Sequence, residues 1–192
     1  MEILKQSPET LNKIIKILKS GGVVICPTDT VYGFLADAAN KKAVDKIYKI
    51  KRRPKLKPLP VFVKNLTTAK EIAFIDKNQE KILKKHWPGK YTFILKRKTQ
   101  KSKIYGVSEE TIGLRLPKDK FLNDLLKRVH QPLVQTSVNI SGEESLKKIK
   151  DIIEQFKKDS RINLIIDGGD LLESRPSKIV DLSRGNIKTL RT

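Results

Sequence analysis

Residues 21–40, GGVVICPTDTVYGFLADAAN, decide how the rest of the chain is interpreted. The apolar run at residues 23–26 fits a buried β-strand, which Pro27 ends. Two threonine hydroxyls, a carboxylate and a phenol follow within residues 28–32. Because ligands of α/β proteins bind at the carboxyl ends of strands, this pattern predicts a binding site after the strand. A plain polar turn is the alternative, although turns seldom hold β-branched residues with so little Gly, Asn or Ser.

The length and composition predict one globular domain over residues 1–192. No run of 18 apolar residues is present, and the N-terminus lacks an apolar signal region. We therefore expect a cytoplasmic protein without a membrane span. The single cysteine, Cys26, excludes an internal disulfide and lies in the predicted strand, where it is expected to be a buried apolar residue. One cysteine and two histidines cannot form a zinc site of the usual kind.

The formal net charge is +20, which indicates a polyanionic partner such as RNA or a general lysine bias of the host. Clustering of the charges is more informative than their total. Residues 46–57 contain seven basic side chains, and residues 96–103 contain five. We predict that the segment 96–103 is a basic loop with the potential to contact RNA.

Apolar periodicity predicts helices and strands that interleave without a strict βαβα alternation, which favours a mixed sheet. Ser7 is predicted to cap the first helix, and Asn40 the second. A strand is predicted over residues 59–63. Because it contains Pro60, either this strand lies at a sheet edge or the proline stands at the start of the strand. Two of the predicted helices begin after Ser7 and Asn40. Four more cover residues 67–74, 76–86, 121–129 and 146–156. The predicted strands cover 23–26, 59–63, 91–96, 112–116, 133–137 and 164–166, with a closing hairpin of 179–182 and 187–190.

Polar side chains recur where these elements end or meet. Lys51 and Arg53 lie near a helix end, and Ser137 and Asn139 alternate as residues on one strand face do. Arg115 lies inside an apolar strand, so its charge requires a partner or an anion. Hydroxyls, amides and cations without a histidine or cysteine nucleophile suit anion binding and the orientation of a nucleophile that the substrate supplies. They do not suit a Ser-His-Asp triad.

Six motifs, in this order, resemble those of the YrdC/TsaC family of threonylcarbamoyl-adenylate synthases, in its short single-domain form. The resemblance runs from residue 21 to about residue 191. The motifs are PTDTVYG at 27–33, KRRP at 51–54, WPG at 87–89, GLRLP at 113–117, TSVNISG at 136–142 and PSKIVD at 176–181.

The resemblance implies an α/β fold with an open, twisted mixed sheet flanked by helices and a concave basic face. It implies an enzyme that converts L-threonine, bicarbonate and ATP, with Mg²⁺, into threonylcarbamoyl-AMP and pyrophosphate. A TsaD-type transferase complex would then carry the threonylcarbamoyl group to an adenosine of tRNA. The identity of any metal site in the protein is left open.

The resemblance also assigns roles to individual residues. Lys51 and Arg53 correspond to the family's catalytic pair, and Lys57 and Phe62 stand where longer relatives often have Asn and His. The implied threonine contacts are Thr30, Arg115, Ser137 and Ser177. The implied ATP contacts are Arg53, Thr111, Asn139 and Arg191. Thr28, Tyr32, Lys57 and Phe62 are further candidates for the pocket wall.

Two other functions remain open at this point. The first is a non-catalytic protein that binds tRNA or ribosomal RNA on the same fold, which the net charge fits equally well. The second is a carbamoyl-transfer module in hydrogenase maturation, which is disfavoured because that function uses accessory domains. RNA contact alone would not require the Lys51/Arg53 and Ser137/Asn139 pairs, so the synthase is the leading hypothesis.

Overall fold

The computed structural model of the chain describes residues 1–98, 103–173 and 175–192. In these ranges ten strands and six helices alternate along the chain. The strands are β1 (Glu2–Lys5), β2 (Val24–Cys26), β3 (Gly33–Asp37), β4 (Val61–Phe62), β5 (Tyr91–Lys96), β6 (Thr111–Arg115), β7 (Leu133–Ser137), β8 (Leu164–Asp167), β9 (Lys178–Asp181) and β10 (Lys188–Arg191). The helices are α1 (Thr10–Lys19), α2 (Lys41–Ile50), α3 (Leu66–Ile72), α4 (Lys77–His86), α5 (Lys120–Val129) and α6 (Ile149–Phe156).

All ten strands form one sheet, in the order β1-β8-β2-β3-β7-β4-β6-β5-β9-β10. Four neighbouring pairs are parallel, namely β1–β8, β2–β8, β4–β6 and β5–β9, and the other five are antiparallel. The predicted α/β fold with an open mixed sheet flanked by helices is therefore confirmed.

The two faces of the sheet are covered differently. One face packs against α2, α3, α4 and α6, whose apolar residues share a core with Ile25, Val61 and Leu114. The opposite face packs against α1 and α5 in a smaller core that includes the fully buried Cys26. Among the described residues, this smaller core includes none from β5, β6, β9 or β10. That end of the second face is therefore not covered by α1 or α5.

The ends of the helices follow the sequence in part. Asn40 caps α2 as predicted, since its side chain accepts a hydrogen bond from the backbone N–H of Ala43 at 3.0 Å. The predicted Ser7 cap is wrong, because α1 begins at Thr10 after Glu9, and no side chain caps it. Instead, Thr10 Oγ1 donates a hydrogen bond to the backbone oxygen of Ser7 at 2.7 Å.

The strands β1 and β3 were not predicted from the sequence. β3 lies inside the sheet, antiparallel to both β2 and β7, and its first four residues are buried. A strand that is buried on both faces lacks the apolar and polar alternation that identifies most strands, which explains the omission. Residues 27–32 consequently form the connection between two paired strands, β2 and β3.

Pro60 marks the start of a strand and not an edge of the sheet. β4 begins at the next residue and lies between β7 and β6. Although Pro60 has no N–H to donate, its backbone oxygen accepts a hydrogen bond from Gln135 N at 2.8 Å. Because Pro60 precedes β4, its missing N–H removes no hydrogen bond from the pairing of that strand.

Candidate functional site

The connection between β2 and β3 is shaped by its two threonines. Thr28 Oγ1 donates to the backbone oxygen of Val31 at 2.7 Å and accepts from Thr30 N at 3.0 Å. The two threonine hydroxyls lie 2.9 Å apart. Thr28 therefore holds the turn, while Thr30 is the residue of the pair that lines a pocket.

Arg115, at the end of β6, has the internal partner that its burial requires. Its Nη2 lies 2.5 Å from Asp29 Oδ1, its Nη1 donates to Thr30 Oγ1 at 2.8 Å, and both charged side chains are almost fully buried. The other oxygen of Asp29 accepts from Lys118 N at 2.9 Å. Burial lowers the pKa of the Arg115 guanidinium, and the Asp29 carboxylate opposes that shift. The prediction that this charge needs a partner is confirmed.

A small pocket of about 160 Å³ opens beside this ion pair, and we call it the polar pocket. It lies over β7, β6 and β9, at the end of the sheet that α1 and α5 leave uncovered. The four residues implied as threonine contacts all line it, together with Arg53, Gln135 and Arg191. These four are Thr30, Arg115, Ser137 and Ser177.

A second pocket of about 320 Å³, the larger pocket, adjoins the polar pocket. Arg53, Pro58, Pro60 and Ile179 line both, so the two share a wall. Thr111 and Lys57, predicted from the resemblance, line the larger pocket. Its floor includes Gly113 of β6, where an added β-carbon would approach Thr92 no closer than 3.5 Å. The missing side chain at this position leaves space above the sheet.

Arg53 belongs to both pockets because α2 has ended before it. Its Nε donates to the backbone oxygen of Lys57 and its Nη2 to that of Pro58, each at 3.0 Å. The helix ends at Ile50, and Arg52 adopts a positive φ of 49°. The chain therefore turns between Lys51 and Arg53, as convergence of these two residues on one site requires.

Lys51 lies behind the polar pocket and holds one of its walls. Its buried Nζ donates to the backbone oxygens of Ser137 at 2.6 Å and Asn139 at 2.9 Å, and to Asn139 Oδ1 at 2.8 Å. Ser137 Oγ donates to the same Asn139 Oδ1 at 2.6 Å. Burial, and secondarily the charge of Arg53, lower the pKa of Lys51 to about 7. The three acceptors favour its charged form.

Asn139 is held by the same network. Its Nδ2 donates to the backbone oxygens of Ile140 and Glu143, each at 2.8 Å. The structure thus brings Lys51, Ser137 and Asn139 together, with Ser137 on the pocket side. The implied catalytic role of Lys51 and the implied ATP contact of Asn139 stay predictions.

The far wall of the polar pocket is formed by β9 and β10. Arg191 Nε donates to the backbone oxygen of Ser177 at 2.8 Å, and Arg191 Nη2 donates to Ser177 Oγ at 3.2 Å. Ser177 Oγ also lies 2.9 Å from Thr92 Oγ1. Burial, followed by the charge of Arg115, lowers the pKa of Arg191. The register of β10 with β9 reaches Arg191, which holds its side chain at the site.

Of the four further candidates for the pocket wall, Lys57 lines the larger pocket, Thr28 holds the turn after β2, and Tyr32 and Phe62 lie elsewhere. Tyr32 is fully buried, where its hydroxyl donates to Gly169 O at 2.7 Å and accepts from Gly168 N at 3.0 Å. Burial raises its pKa to about 12. Phe62 is also fully buried, with its ring 5.6 Å from the Arg115 guanidinium. Its ring packs against that cation. Among the described residues that line the polar pocket and the larger pocket, Phe62 is not included.

Only part of the predicted basic segment 96–103 can be compared with the structure, since residues 99–102 lie outside the described residues. Two of its cations are engaged by the protein itself. Arg97 donates to the backbone oxygens of Ser108 and Ile104, each at 3.1 Å. Lys98 Nζ donates to the backbone oxygen of Lys70 at 2.6 Å.

The sequence assigned no individual role to three residues that the structure brings to this region, although Asp29 lies within the segment 28–32 that was predicted to hold a binding site. Asp29 pairs with Arg115, Thr92 contacts Ser177, and Gln135 lines the polar pocket. A signal for Gln135 was available, because it is a long polar side chain that directly follows the apolar Leu133 and Val134 of β7. No local signal connects Asp29 with a residue 86 positions away.

In the described parts of the chain, no three His, Cys, Asp or Glu side chains are grouped so that they could hold a metal ion. None of the helices in those same ranges is long and apolar enough to span a membrane.

Comparison with known proteins gives a family match and near relatives. A family model named for the Sua5, YciO and YrdC proteins, with the description "Telomere recombination", matches residues 16–192. A Methanocaldococcus jannaschii protein, provisionally named a threonylcarbamoyl-AMP synthase, is 35% identical over 195 residues, which cover 100% of this chain and 91% of that protein.

Two solved structures resemble the whole chain. The crystal structure of P. abyssi Sua5 complexed with L-threonine is 26% identical with a TM-score of 0.89, and the match covers 100% of this chain and 57% of that one. The crystal structure of E. coli YciO is 27% identical with a TM-score of 0.87, and the match covers 100% of this chain and 93% of that one. The chain thus spans less than two thirds of the P. abyssi protein and nearly all of YciO.

Proposed function

The chain belongs to the Sua5/YciO/YrdC family, and on that basis we propose that it is a threonylcarbamoyl-AMP synthase. It forms threonylcarbamoyl-AMP and pyrophosphate from L-threonine, bicarbonate and ATP. The product serves the threonylcarbamoyladenosine modification of tRNA, with a TsaD-type transferase complex acting next.

One observation carries the proposal, namely two adjoining pockets of unequal size with Arg53 in the shared wall. The polar pocket is of a size for a small amino acid, and its wall carries Arg115, Thr30 and Ser177. The larger pocket is more open and more apolar, as a nucleoside requires. The complex of P. abyssi Sua5 with L-threonine supports an amino acid as the occupant of the smaller one.

The reaction needs no nucleophile from the protein. The threonine amine and bicarbonate form a carbamate with loss of water, and a carbamate oxygen attacks the α-phosphorus of ATP. The bond from that phosphorus to the bridging oxygen of the β-phosphate breaks, and pyrophosphate leaves. The protein has to hold the two reactants together and stabilise the phosphate charge. Arg53, which faces both pockets, is placed to do both.

The predicted Mg²⁺ has no ligand set of its own among the described pocket residues. The walls present hydroxyls and guanidinium groups, and the buried carboxylate of Asp29 is already bonded to Arg115 and to Lys118 N. We therefore derive no step through a protein-bound metal. Mg²⁺, if used, would bind to the phosphates of ATP.

The proposal is tested by pyrophosphate release from ATP and bicarbonate, with and without L-threonine. The wild-type protein is expected to release pyrophosphate only when L-threonine is added, and to form threonylcarbamoyl-AMP in equal amount by mass spectrometry. Release at the same rate without the amino acid would refute the synthase.

Arg53→Ala is expected to lower threonine-dependent pyrophosphate release by at least about 100-fold, because a cation at the shared wall is lost. Among the described residues, the side chain hydrogen-bonds only to two carbonyls of its own loop, so the melting temperature should change by less than about 2 °C. Arg184→Ala, at an exposed position between β9 and β10, is the matched control and should keep wild-type activity. Equal loss in both variants would indicate a general charge effect.

A non-catalytic RNA-binding protein is the second candidate, and the net charge of +20 favours it. It predicts salt-dependent tRNA binding by a protein that releases no pyrophosphate with L-threonine. Threonine-dependent release would decide against it, whatever the affinity for tRNA.

A further inference from the structure

Gln135 of β7 is buried in the wall of the polar pocket without a bonding partner for its side chain. The residue is 7% exposed. Its backbone N–H donates to Pro60 O at 2.8 Å, whereas its carboxamide has no hydrogen-bond partner among the described residues and is not one of their fully buried unpartnered groups, so it is open to the pocket. An amide that opens into a pocket bonds to water there until a ligand takes the place of that water. The carboxamide is therefore available to a ligand that fills the polar pocket.

The backbone of β3 makes room for this side chain. A β-carbon at Gly33 would lie 2.9 Å from Gln135 Nε2, closer than side chains approach each other. Residues 135 and 137 lie on the same face of β7, because successive strand residues alternate. The Gln135 side chain thus extends over Gly33 of the neighbouring strand β3, and it lies beside Ser137 in the polar pocket.

Three hydroxyl groups of the pocket already have partners within the protein. Thr30 Oγ1 accepts from Arg115 at 2.8 Å, and Ser137 Oγ donates to Asn139 at 2.6 Å. Ser177 Oγ accepts from Arg191 at 3.2 Å and contacts Thr92 at 2.9 Å. The cations suit the charged carboxylate or carbamate of an amino acid. Gln135 differs from these groups, because neither its donor nor its acceptor has a hydrogen-bond partner among the described residues.

We propose that Gln135 is a specificity residue that recognises the side-chain hydroxyl of the amino-acid substrate. The proposal rests on the proposed function. A hydroxyl can accept from Nε2 and donate to Oε1, which completes both halves of the carboxamide. An amino acid of the same shape without the hydroxyl, such as L-valine, would displace water from the amide and leave it without a partner. Sites built to bond a hydroxyl discriminate against such analogues on this principle.

The test compares L-threonine, L-serine and L-valine in the pyrophosphate assay and by calorimetric binding, with wild type and with Gln135→Met. Wild type should prefer L-threonine to L-valine, and Gln135→Met should lower the threonine-to-valine ratio of kcat/KM by about 10-fold or more. The KM for ATP should not change. Gln155→Met, at an exposed position of α6, is the control and should keep the wild-type ratio.

The outcomes separate this inference from the proposed function. A wild type that uses L-valine as well as L-threonine overturns the role of Gln135 while leaving the synthase intact, as does an unchanged ratio in Gln135→Met. If wild type releases no pyrophosphate, the synthase fails, and the binding preference for L-threonine over L-valine still decides on Gln135. If Gln135→Met does not fold, Gln135→Glu, which keeps the shape and an acceptor, is expected to retain part of the preference.

Discussion

Lys51→Met is expected to reduce threonine-dependent pyrophosphate release by at least about 100-fold, although the lysine does not line either pocket. Its ammonium holds Ser137 O, Asn139 O and Asn139 Oδ1 within 2.9 Å, and thereby fixes the strand end that faces the substrate. Methionine preserves the length and packing of the side chain and removes the donors. The measurement is steady-state pyrophosphate release at saturating ATP.

The same substitution is expected to lower the free energy of unfolding by about 1–3 kcal/mol, because buried carbonyl oxygens lose their donor. Lys49→Met is the control, since Lys49 lies two residues earlier on the exposed side of α2 and should tolerate the change. Urea denaturation of both variants shows whether lost activity in Lys51→Met comes from a displaced Ser137–Asn139 wall or from unfolding of the protein. Wild-type turnover in Lys51→Met would show that the Ser137–Asn139 wall does not need this anchor.

Asp29→Ala is expected to destabilise the protein by about 3–5 kcal/mol, because it leaves the buried Arg115 without its counter-ion. The backbone N–H of Lys118 loses its acceptor at the same time. Asp45→Ala removes a carboxylate that is bonded to Lys41 and Lys55 at the surface, and should cost less than about 1 kcal/mol. Thermal and urea unfolding of both variants give the comparison.

A double variant separates the cost of the uncompensated Arg115 charge from the cost of losing the Asp29 side chain itself. Asp29→Ala combined with Arg115→Met should be more stable than Asp29→Ala alone, because no uncompensated charge remains buried. It should still be inactive, since the polar pocket has lost the guanidinium of Arg115. Equal stability of the single and double variants would contradict the view that Asp29 acts mainly as the counter-ion of Arg115.

Local pattern predicted most of the elements, because they carry their own signal. Val24 and its neighbours form an apolar run that could only be buried, and the spacing in α2 and α5 identifies one apolar face of each helix. β3 was missed because all but the last of its residues are buried. The Ser7 cap was wrong because the chain begins α1 three residues later, at Thr10.

The site was predictable as a set of residues and not as a set of contacts. Lys51 and Arg53 are two positions apart in the sequence, yet Lys51 bonds to residues 86 and 88 positions away, and Arg53 bonds within its own loop. Similarly, a charge in an apolar strand signalled that Arg115 needs a partner, but only the pairing of strands identifies Asp29. Such pairings depend on how the sheet closes, which no short window of sequence encodes.

β10 forms part of the far wall of the polar pocket, and it should separate from the sheet more readily than the interior strands do. Within the part of the chain that the structure describes, this strand pairs only with β9, at the outer edge of the sheet, and all four of its residues are exposed. Its amides should therefore exchange with solvent deuterium well before those of β7, which has a neighbour on each side. Because Arg191 joins this strand to Ser177, a ligand that engages Arg191 should slow that exchange, and the edge of the sheet would then report whether the pocket is filled.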